Sequence, residues 1–267
     1  MSNPTPHRAR KRFGQNFLHD PGIIQRIVQV IAPQSDDNLA EIGPGQGAIT
    51  TELLPLVSQM HAIELDRDLI EPLAHRCATL GRLQIHNIDA LKFDFSILAE
   101  PESPLRVVGN LPYNISTPLL FHLLDQSASI KDMHFMLQKE VVDRMGASPG
   151  SKSYGRLSVM LQARAEVTPL FSIGPGAFNP PPKVDSAFVR LVPHDSPPYQ
   201  IDNWDNFSQV VAQAFSQRRK TLRNCLKKTL TAEAIESVGI DPGLRAESLS
   251  VEDFAKLAKR LSNPESY

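Results

Sequence analysis

Asn38-Leu39-Ala40-Glu41-Ile42-Gly43-Pro44-Gly45-Gln46-Gly47 is the stretch whose reading decides the fold. Its first five residues read as a short buried strand, and a helical pattern runs from about Ala48 to Leu56 behind the glycines. Strand, glycine-rich turn and helix in that order open a doubly wound α/β sheet. Glycines there let a ligand approach the backbone, and the following helix presents free N–H groups. The spacing Gly-x-Gly-x-Gly is not the dinucleotide fingerprint Gly-x-Gly-x-x-Gly, and no Lys-Ser/Thr pair follows to make a P-loop. Glu41 sits just before the turn.

The next strands each end in polar chemistry. Met60 to Leu65 reads as the second strand and runs into Glu64-Leu65-Asp66. Glu64 lies about twenty residues beyond the glycines, where such sheets set an acid against ribose hydroxyls. A helix from Arg67 to Leu80 follows, with Pro72 early or kinking it. Leu83 to Ile88 is the third strand and ends at Asp89-Ala90, an acid able to accept from an adenine amine. Either acid alone also fits an exposed strand end or a helix cap. Two at successive strand ends behind a glycine turn make coincidence a poor account.

The fourth strand, Leu105 to Gly109, delivers Asn110-Leu111-Pro112-Tyr113. The Asn110 side-chain oxygen is an acceptor. Leu111 precedes proline and is biased to extended backbone, so its carbonyl can be aimed outward as a second acceptor. Pro112 stiffens the turn. Tyr113 supplies a flat face for stacking. Two acceptors beside an aromatic plate fit the exocyclic amine of adenine or cytosine. Taken alone, the tetrapeptide also fits a plain Asn-Pro-type loop with a packed tyrosine.

Around this centre the chain divides into an arm over 1–10, an α/β domain over 11–195, a linker over 196–203 and a helical domain over 204–267. Lys11-Arg12-Phe13-Gly14-Gln15-Asn16-Phe17-Leu18 reads as a turn whose backbone lies close to something, ahead of a helix from Pro21. Ser116-Thr117-Pro118 starts another helix, 132–138 is a fifth strand, and Lys139 to Met145 a helix ending in a loop over 146–155. Alternation returns in Ala165 to Phe171. Phe178-Asn179-Pro180-Pro181-Pro182-Lys183-Val184-Asp185-Ser186 is a stiff, extended loop before a strand from Ala187 to Val192. It can hold Phe178 and Lys183 in fixed places, or simply bury Phe178. Phe207 to Lys228 reads as one helix, with Arg219, Arg223 and Lys227 along a stripe beside its apolar face.

Composition sets the class. Hydrophobic residues at 41% and charged residues at 21% of 267 describe a soluble globular chain with ample core. No apolar run approaches the roughly 18 residues of a membrane span, and the polar, basic N-terminus does not read as a secretory signal. Cys77 and Cys225 lack metal-ligand spacing and fit free thiols in a reducing cytoplasm. The eight histidines show no paired helical spacing for zinc, so no metal is expected. The net charge of −1 hides an uneven distribution. Arg8, Arg10, Lys11 and Arg12 precede any acid, and Ala214 to Lys228 carries Arg218, Arg219, Lys220, Arg223, Lys227 and Lys228 without one. Such clusters are local positive surfaces suited to a polyanion.

Glycine turn, acid, acid and Asn-Leu-Pro-Tyr at successive strand ends resemble the class I S-adenosylmethionine methyltransferases. Lys-Arg-Phe-Gly-Gln-Asn-Phe-Leu, Gly-Pro-Gly-Gln-Gly, Asn-Leu-Pro-Tyr-Asn-Ile-Ser-Thr and Phe-Asn-Pro-Pro-Pro-Lys-Val-Asp-Ser are similar, as a set, to the ribosomal RNA adenine dimethyltransferases of the bacterial small-subunit type. The likeness runs from about Arg10 to Leu261. It implies a Rossmann-like sheet with a smaller C-terminal all-helical domain. It also implies methyl transfer from S-adenosyl-L-methionine, leaving S-adenosyl-L-homocysteine, to two adjacent adenosines near the 3′ end of 16S rRNA in the immature small subunit. Gln15, Asn16, Leu18, Gly43 and Gly45 would line the methionine end of the cofactor, and Glu64 would take its ribose. Asp89 and the Ala90 backbone would meet its adenine. Asn110 and Leu111 would accept from the target amine, with Tyr113 and Phe178 stacking on the target base. Arg219, Lys220, Arg223 and Lys227 would meet RNA, and the protein would work as a cytoplasmic monomer. A DNA adenine methyltransferase, a large-subunit enzyme of the antibiotic-resistance type and a non-catalytic assembly factor are the rival readings.

Overall fold

Apolar strands buried on both faces pair in parallel where helices carry the chain from one to the next. In the computed structural model, which describes residues 15–262 apart from Pro101 and Pro197, the strands are β1 (Phe17–Leu18), β2 (Asn38–Ile42), β3 (Met60–Ile63), β4 (Leu83–His86), β5 (Leu105–Asn110), β6 (Ile130–Gln138), β7 (Ala165–Ile173), β8 (Phe178–Asn179) and β9 (Ser186–Pro193). The arm over 1–10 and the basic run through Lys11 and Arg12 lie outside the described residues. Seven strands form one sheet in the order β4-β3-β2-β5-β6-β9-β7. β4, β3, β2, β5 and β6 are parallel, and β9 runs antiparallel to β6. β1 and β8 pair separately, Leu18 opposite Phe178.

The chain steps outward from β2 to β4, then crosses back to β5 on the other side. The carboxyl ends of β2 and β5 therefore meet at the topological switch point, Ile42 opposite Gly109. A Cβ on Gly109 would lie 2.6 Å from the Ile42 carbonyl oxygen, so only glycine lets these strands close up just ahead of Asn110.

The first unit contains helices α1 (Pro21–Ile31), α2 (Thr50–Leu53), α3 (Arg67–Cys77) and α4 (Ser116–Leu124). Asp20 caps α1 by accepting from the Ile23 N–H at 3.0 Å, with Pro21 in the first turn. Ile27 and Ile31 of α1 pack with Leu39, Met60 and Val108 of the sheet. At the amino ends of the strands, Arg106 spans two carboxylates. It holds Asp132 through Nε at 2.9 Å and Nη2 at 3.0 Å, and Asp37 through Nη1 at 2.5 Å.

A second unit gathers 143–167 and the described residues from His194 onward. The first unit is the rest of the described chain, up to Val142 and Thr168–Pro193. The grouping of 143–167 with the helices departs from a single continuous domain over 11–195. α5 (Lys139–Met145) leads into this unit, and α6 (Arg156–Gln162) begins where Ser158 Oγ accepts from the Gly155 N–H at 3.1 Å. α7 (Trp204–Ala214), α8 (Leu222–Leu226), α9 (Ala232–Glu236) and α10 (Val251–Ser262) complete it.

The single helix expected over Phe207–Lys228 is two helices. α7 stops at Ala214, and the Leu222 and Arg223 N–H groups donate to the carbonyls of Leu244 and Pro242 at 2.8 and 3.0 Å. Those bonds replace the intrahelical partners a continuous helix would need, and the crowded positive charges of Arg218-Arg219-Lys220 favour a turn over a helix. Arg219 and Lys220 therefore stand in the turn, Arg223 within α8 and Lys227 at its end, all exposed. They do not form a helical stripe.

Candidate active site

A cavity of about 350 Å³ opens at the carboxyl ends of β2, β3 and β5. Gly43 and Gly45 turn the chain away from β2 with φ of +67° and +58°, a region glycine enters without strain. The Gly45 N–H donates to Glu64 Oε2 at 3.2 Å, and the Asp66 N–H donates to Glu64 Oε1 at 2.8 Å. Burial pushes the Glu64 carboxyl above its ordinary value, and these two N–H bonds oppose that rise. Each oxygen spends one lone pair on the backbone and keeps capacity for a hydroxyl. Two acceptors side by side match the two hydroxyl donors of a ribose diol.

Asp89 stands at the mouth of β4's loop and caps a short turn by accepting from the Leu91 N–H at 3.0 Å through Oδ1. Ala90 forms buried wall beside it. Leu65 and Ile88, the residues next to the two acids, also line the cavity, yet are 49% and 37% exposed. Two open apolar side chains between two acids suit the faces of a purine. Sequence reasoning passed over both; their signal was position alone, one step from an acid at a strand end.

Glu41 was noted in the sequence but given no role. It is buried, accepts from Thr50 Oγ1 at 2.6 Å and lines the cavity. Burial, opposed by the Thr50 bond and reinforced by the nearby Glu64, lifts its pKa to about 7.

The segment from Gln15 to Leu18 forms another wall of the same cavity. Gln15 Nε2 donates to Asp66 Oδ2 at 3.0 Å, and the Asn16 carbonyl accepts from Asn110 Nδ2 at 3.0 Å. The Phe17 ring packs so close to Gly45 that an added Cβ would meet it at 3.1 Å. Leu18 is held by its strand pairing with Phe178.

Asn110, Leu111 and Tyr113 all reach the cavity wall. With its nitrogen tied to Asn16, the Asn110 amide has its oxygen left as the acceptor. The Leu111 N–H is consumed by the Met136 carbonyl at 3.2 Å. The Tyr113 hydroxyl meets Ser186 Oγ at 2.8 Å, and burial raises the phenol above its ordinary pKa.

Phe178 departs from expectation. It is only 3% exposed, packs with Leu18, Met136 and Phe188 in the core, and is not part of the cavity wall. Its pairing with Leu18 turns the ring into apolar packing, where burying a phenyl group stabilises more than presenting it to solvent. Arg219, Lys220, Arg223 and Lys227 belong to the second unit. Among the described residues no group of three His, Cys, Asp or Glu is placed to hold a metal, and no helix is long and apolar enough to cross a membrane.

A switch-point cavity with carboxylates at two successive strand ends and an amide beside a tyrosine has room and acceptors for S-adenosylmethionine and a target amine. Fold and site define a methyltransferase of the doubly wound class. The family model for "Ribosomal RNA adenine dimethylase" matches residues 6–263. A protein of Pseudomonas putida named "Ribosomal RNA small subunit methyltransferase A" is 55% identical over 263 residues, covering 98% of each chain. One of Nitrosococcus oceani with the same name is 56% identical over 257 residues, covering 96% of this chain and 97% of that one. Among solved structures, a dimethyladenosine transferase from Plasmodium falciparum superposes with a TM-score of 0.77 at 29% identity, over 90% of this chain and 95% of its own. The 23S rRNA methyltransferase ErmE does so with a TM-score of 0.73 at 25% identity, over 93% and 100%. The chain belongs to the ribosomal RNA adenine dimethylase family. It is a methyltransferase that uses S-adenosylmethionine and acts on ribosomal RNA.

Proposed function

We propose that this chain dimethylates the exocyclic amines of two adjacent adenosines near the 3′ end of 16S rRNA. It works as a cytoplasmic monomer on the immature small subunit. The small-subunit name shared by relatives at about 55% identity supports that target. The observation that carries the reading is the Asn110 amide, whose nitrogen is engaged by Asn16 and whose oxygen is therefore the free end at the cavity.

When bound, S-adenosylmethionine supplies a methyl carbon made electrophilic by the adjoining sulfonium. Glu64 would hold its ribose hydroxyls, Asp89 would accept from its adenine amine, and Leu65 and Ile88 would supply apolar walls for that ring. The target amine is a poor nucleophile because its lone pair is delocalised into the base. The Asn110 oxygen and the Leu111 carbonyl accept its hydrogens off the ring plane, favouring a more tetrahedral nitrogen with its lone pair free. This is positioning with electrostatic help. As the nitrogen–carbon bond formed, the sulfur–carbon pair would stay on sulfur, leaving S-adenosylhomocysteine, and the cationic nitrogen would lose its proton to water, so the walls need no dedicated base. The target base leaves its stack to enter, and the Tyr113 face offsets part of that cost, about 1–3 kcal/mol per stacked base.

Mass spectrometry of small-subunit RNA from cells lacking this protein tests the reading. Loss of dimethyladenosine near the 3′ end, restored by the purified protein, is the expected result. Unchanged dimethylation, or preferential methyl uptake by large subunits or duplex DNA, would overturn it.

A further inference from the structure

Ser186 is the first residue of β9 and is fully buried. Its Oγ lies 2.8 Å from the Tyr113 hydroxyl, 73 residues away in sequence. Backbone bonds fix the serine on both sides. Ser186 pairs with Gln138 across β6, and the Lys139 N–H donates to the Asp185 carbonyl at 2.9 Å. The other end of the tyrosine is fixed separately. Ser116 Oγ donates to the Tyr113 carbonyl at 3.1 Å, and the Leu111 N–H to Met136 at 3.2 Å. The ring is thus held at its root by the turn after β5 and at its tip by β9.

A tyrosine on a cavity wall does not need the second anchor. Its hydroxyl could be solvated, and the ring could move among staggered wells about χ1. One hydrogen bond at the tip fixes the long axis of the ring and so its χ1 well, and a base stacks productively only on a ring that stands in that place. Ser186 itself is not part of the cavity wall. The hydroxyl it engages is turned to the protein, and burial keeps that phenol protonated, so the pair does not serve as a base.

We infer that Ser186 is a positioning residue for methyl transfer: through its hydroxyl bond it holds the Tyr113 ring in the one χ1 well in which the target base can stack on it. The inference rests on the proposed function and adds to it a residue that never meets the substrate.

The test uses the full chain in three variants, Ser186→Ala, Tyr113→Phe and the double, with small-subunit RNA particles as substrate. Single-turnover methyl transfer at saturating RNA is expected to fall about fivefold in each single variant, the worth of one buried neutral hydrogen bond. The dissociation constant for S-adenosylhomocysteine should stay at the wild-type value. Because both substitutions remove the same bond, the double should be no slower than the slower single. An unchanged rate in Ser186→Ala, losses that multiply in the double, or an equal loss of S-adenosylhomocysteine affinity would overturn the inference. Should Ser186→Ala fail to fold, Tyr113→Phe still decides it, since it keeps the ring and the serine and removes only the bond. A wild-type protein that methylates none of the particles defeats the proposed function instead, and that control separates the two failures.

Discussion

Asn110 Nδ2 donates to the backbone carbonyl of Asn16 at 3.0 Å, across 94 residues of sequence. A carbonyl can only accept, so this bond dictates which end of the amide faces away. It also ties the Gln15–Leu18 segment to the residue proposed to receive the target amine. Asn110→Asp keeps the acceptors but sets a carboxylate against the Asn16 carbonyl. Methyl transfer is expected to fall by about 10²-fold or more, the scale of losing one aimed polar group at a reaction centre. Affinity for S-adenosylhomocysteine should drop as well, because the segment loses a tie over the cavity. Asn110→Ala should lose transfer to a similar degree with less loss of affinity. Single-turnover assays with calorimetry check both, and wild-type affinity in Asn110→Asp would disconnect the segment from the amide.

Glu41 gives a pH dependence with a definite sign. Its pKa is about 7 in the fold, against 4.5 for an ordinary glutamate, chiefly because it is buried. Between those values the unfolded chain has released a proton that the folded chain keeps, so stability falls as pH rises through the window and levels off above it. The span corresponds to about 3 kcal/mol at about 1.4 kcal/mol per pH unit. In urea unfolding from pH 5 to pH 8 the wild type should lose stability relative to Glu41→Gln as pH rises, since the depressed pKa values of His61, His86 and His134, which act in the opposite direction, are common to both proteins. Parallel curves for the two proteins would contradict the assignment.

The site was legible where its chemistry is written at strand ends. Gly43, Gly45, Glu64, Asp89 and Asn110 each follow a short apolar run, and a doubly wound sheet brings the ends of such runs to one edge. What escaped depends on partners far off in the chain. The pairing of Leu18 with Phe178 joins two-residue strands with no periodicity to read, and it decides that Phe178 is core. The break between Ala214 and Leu222 follows from backbone bonds to Pro242 and Leu244, which no helical pattern contains. Tyr113 was legible as a ring, but not its bond to Ser186.

Arg106 was part of a strand in sequence and proves to be the hub of a buried ion cluster. Burial alone would raise Asp37, but the Gln34 N–H and the cations of Arg106 and Lys131 hold it below its ordinary value. Arg106→Met leaves Asp37 and Asp132 facing each other without that cation. Removing one partner of a buried ion pair costs about 3–5 kcal/mol. Chemical denaturation should report that loss at neutral pH, and Arg106→Met with Asp37→Asn and Asp132→Asn should recover part of it. A variant as stable as the wild type would show that the cluster adds nothing to folding.

The basic turn makes the last prediction. Arg218 points elsewhere, donating to the Lys152 carbonyl at 2.8 Å and lying 3.6 Å from Glu247, so it is left intact. Arg219, Lys220, Arg223 and Lys227 are exposed around α8 in a stretch without acids. If they meet phosphates, each contact releases counterions and contributes about 0.7–0.9 to the log–log slope of affinity against salt. Changing all four to glutamine should flatten that slope by up to about 3.6 for small-subunit RNA particles. Affinity for S-adenosylhomocysteine should be untouched, because none of the four lines the cavity. An unaltered slope would take the RNA contact away from this turn, whatever happened to the overall affinity.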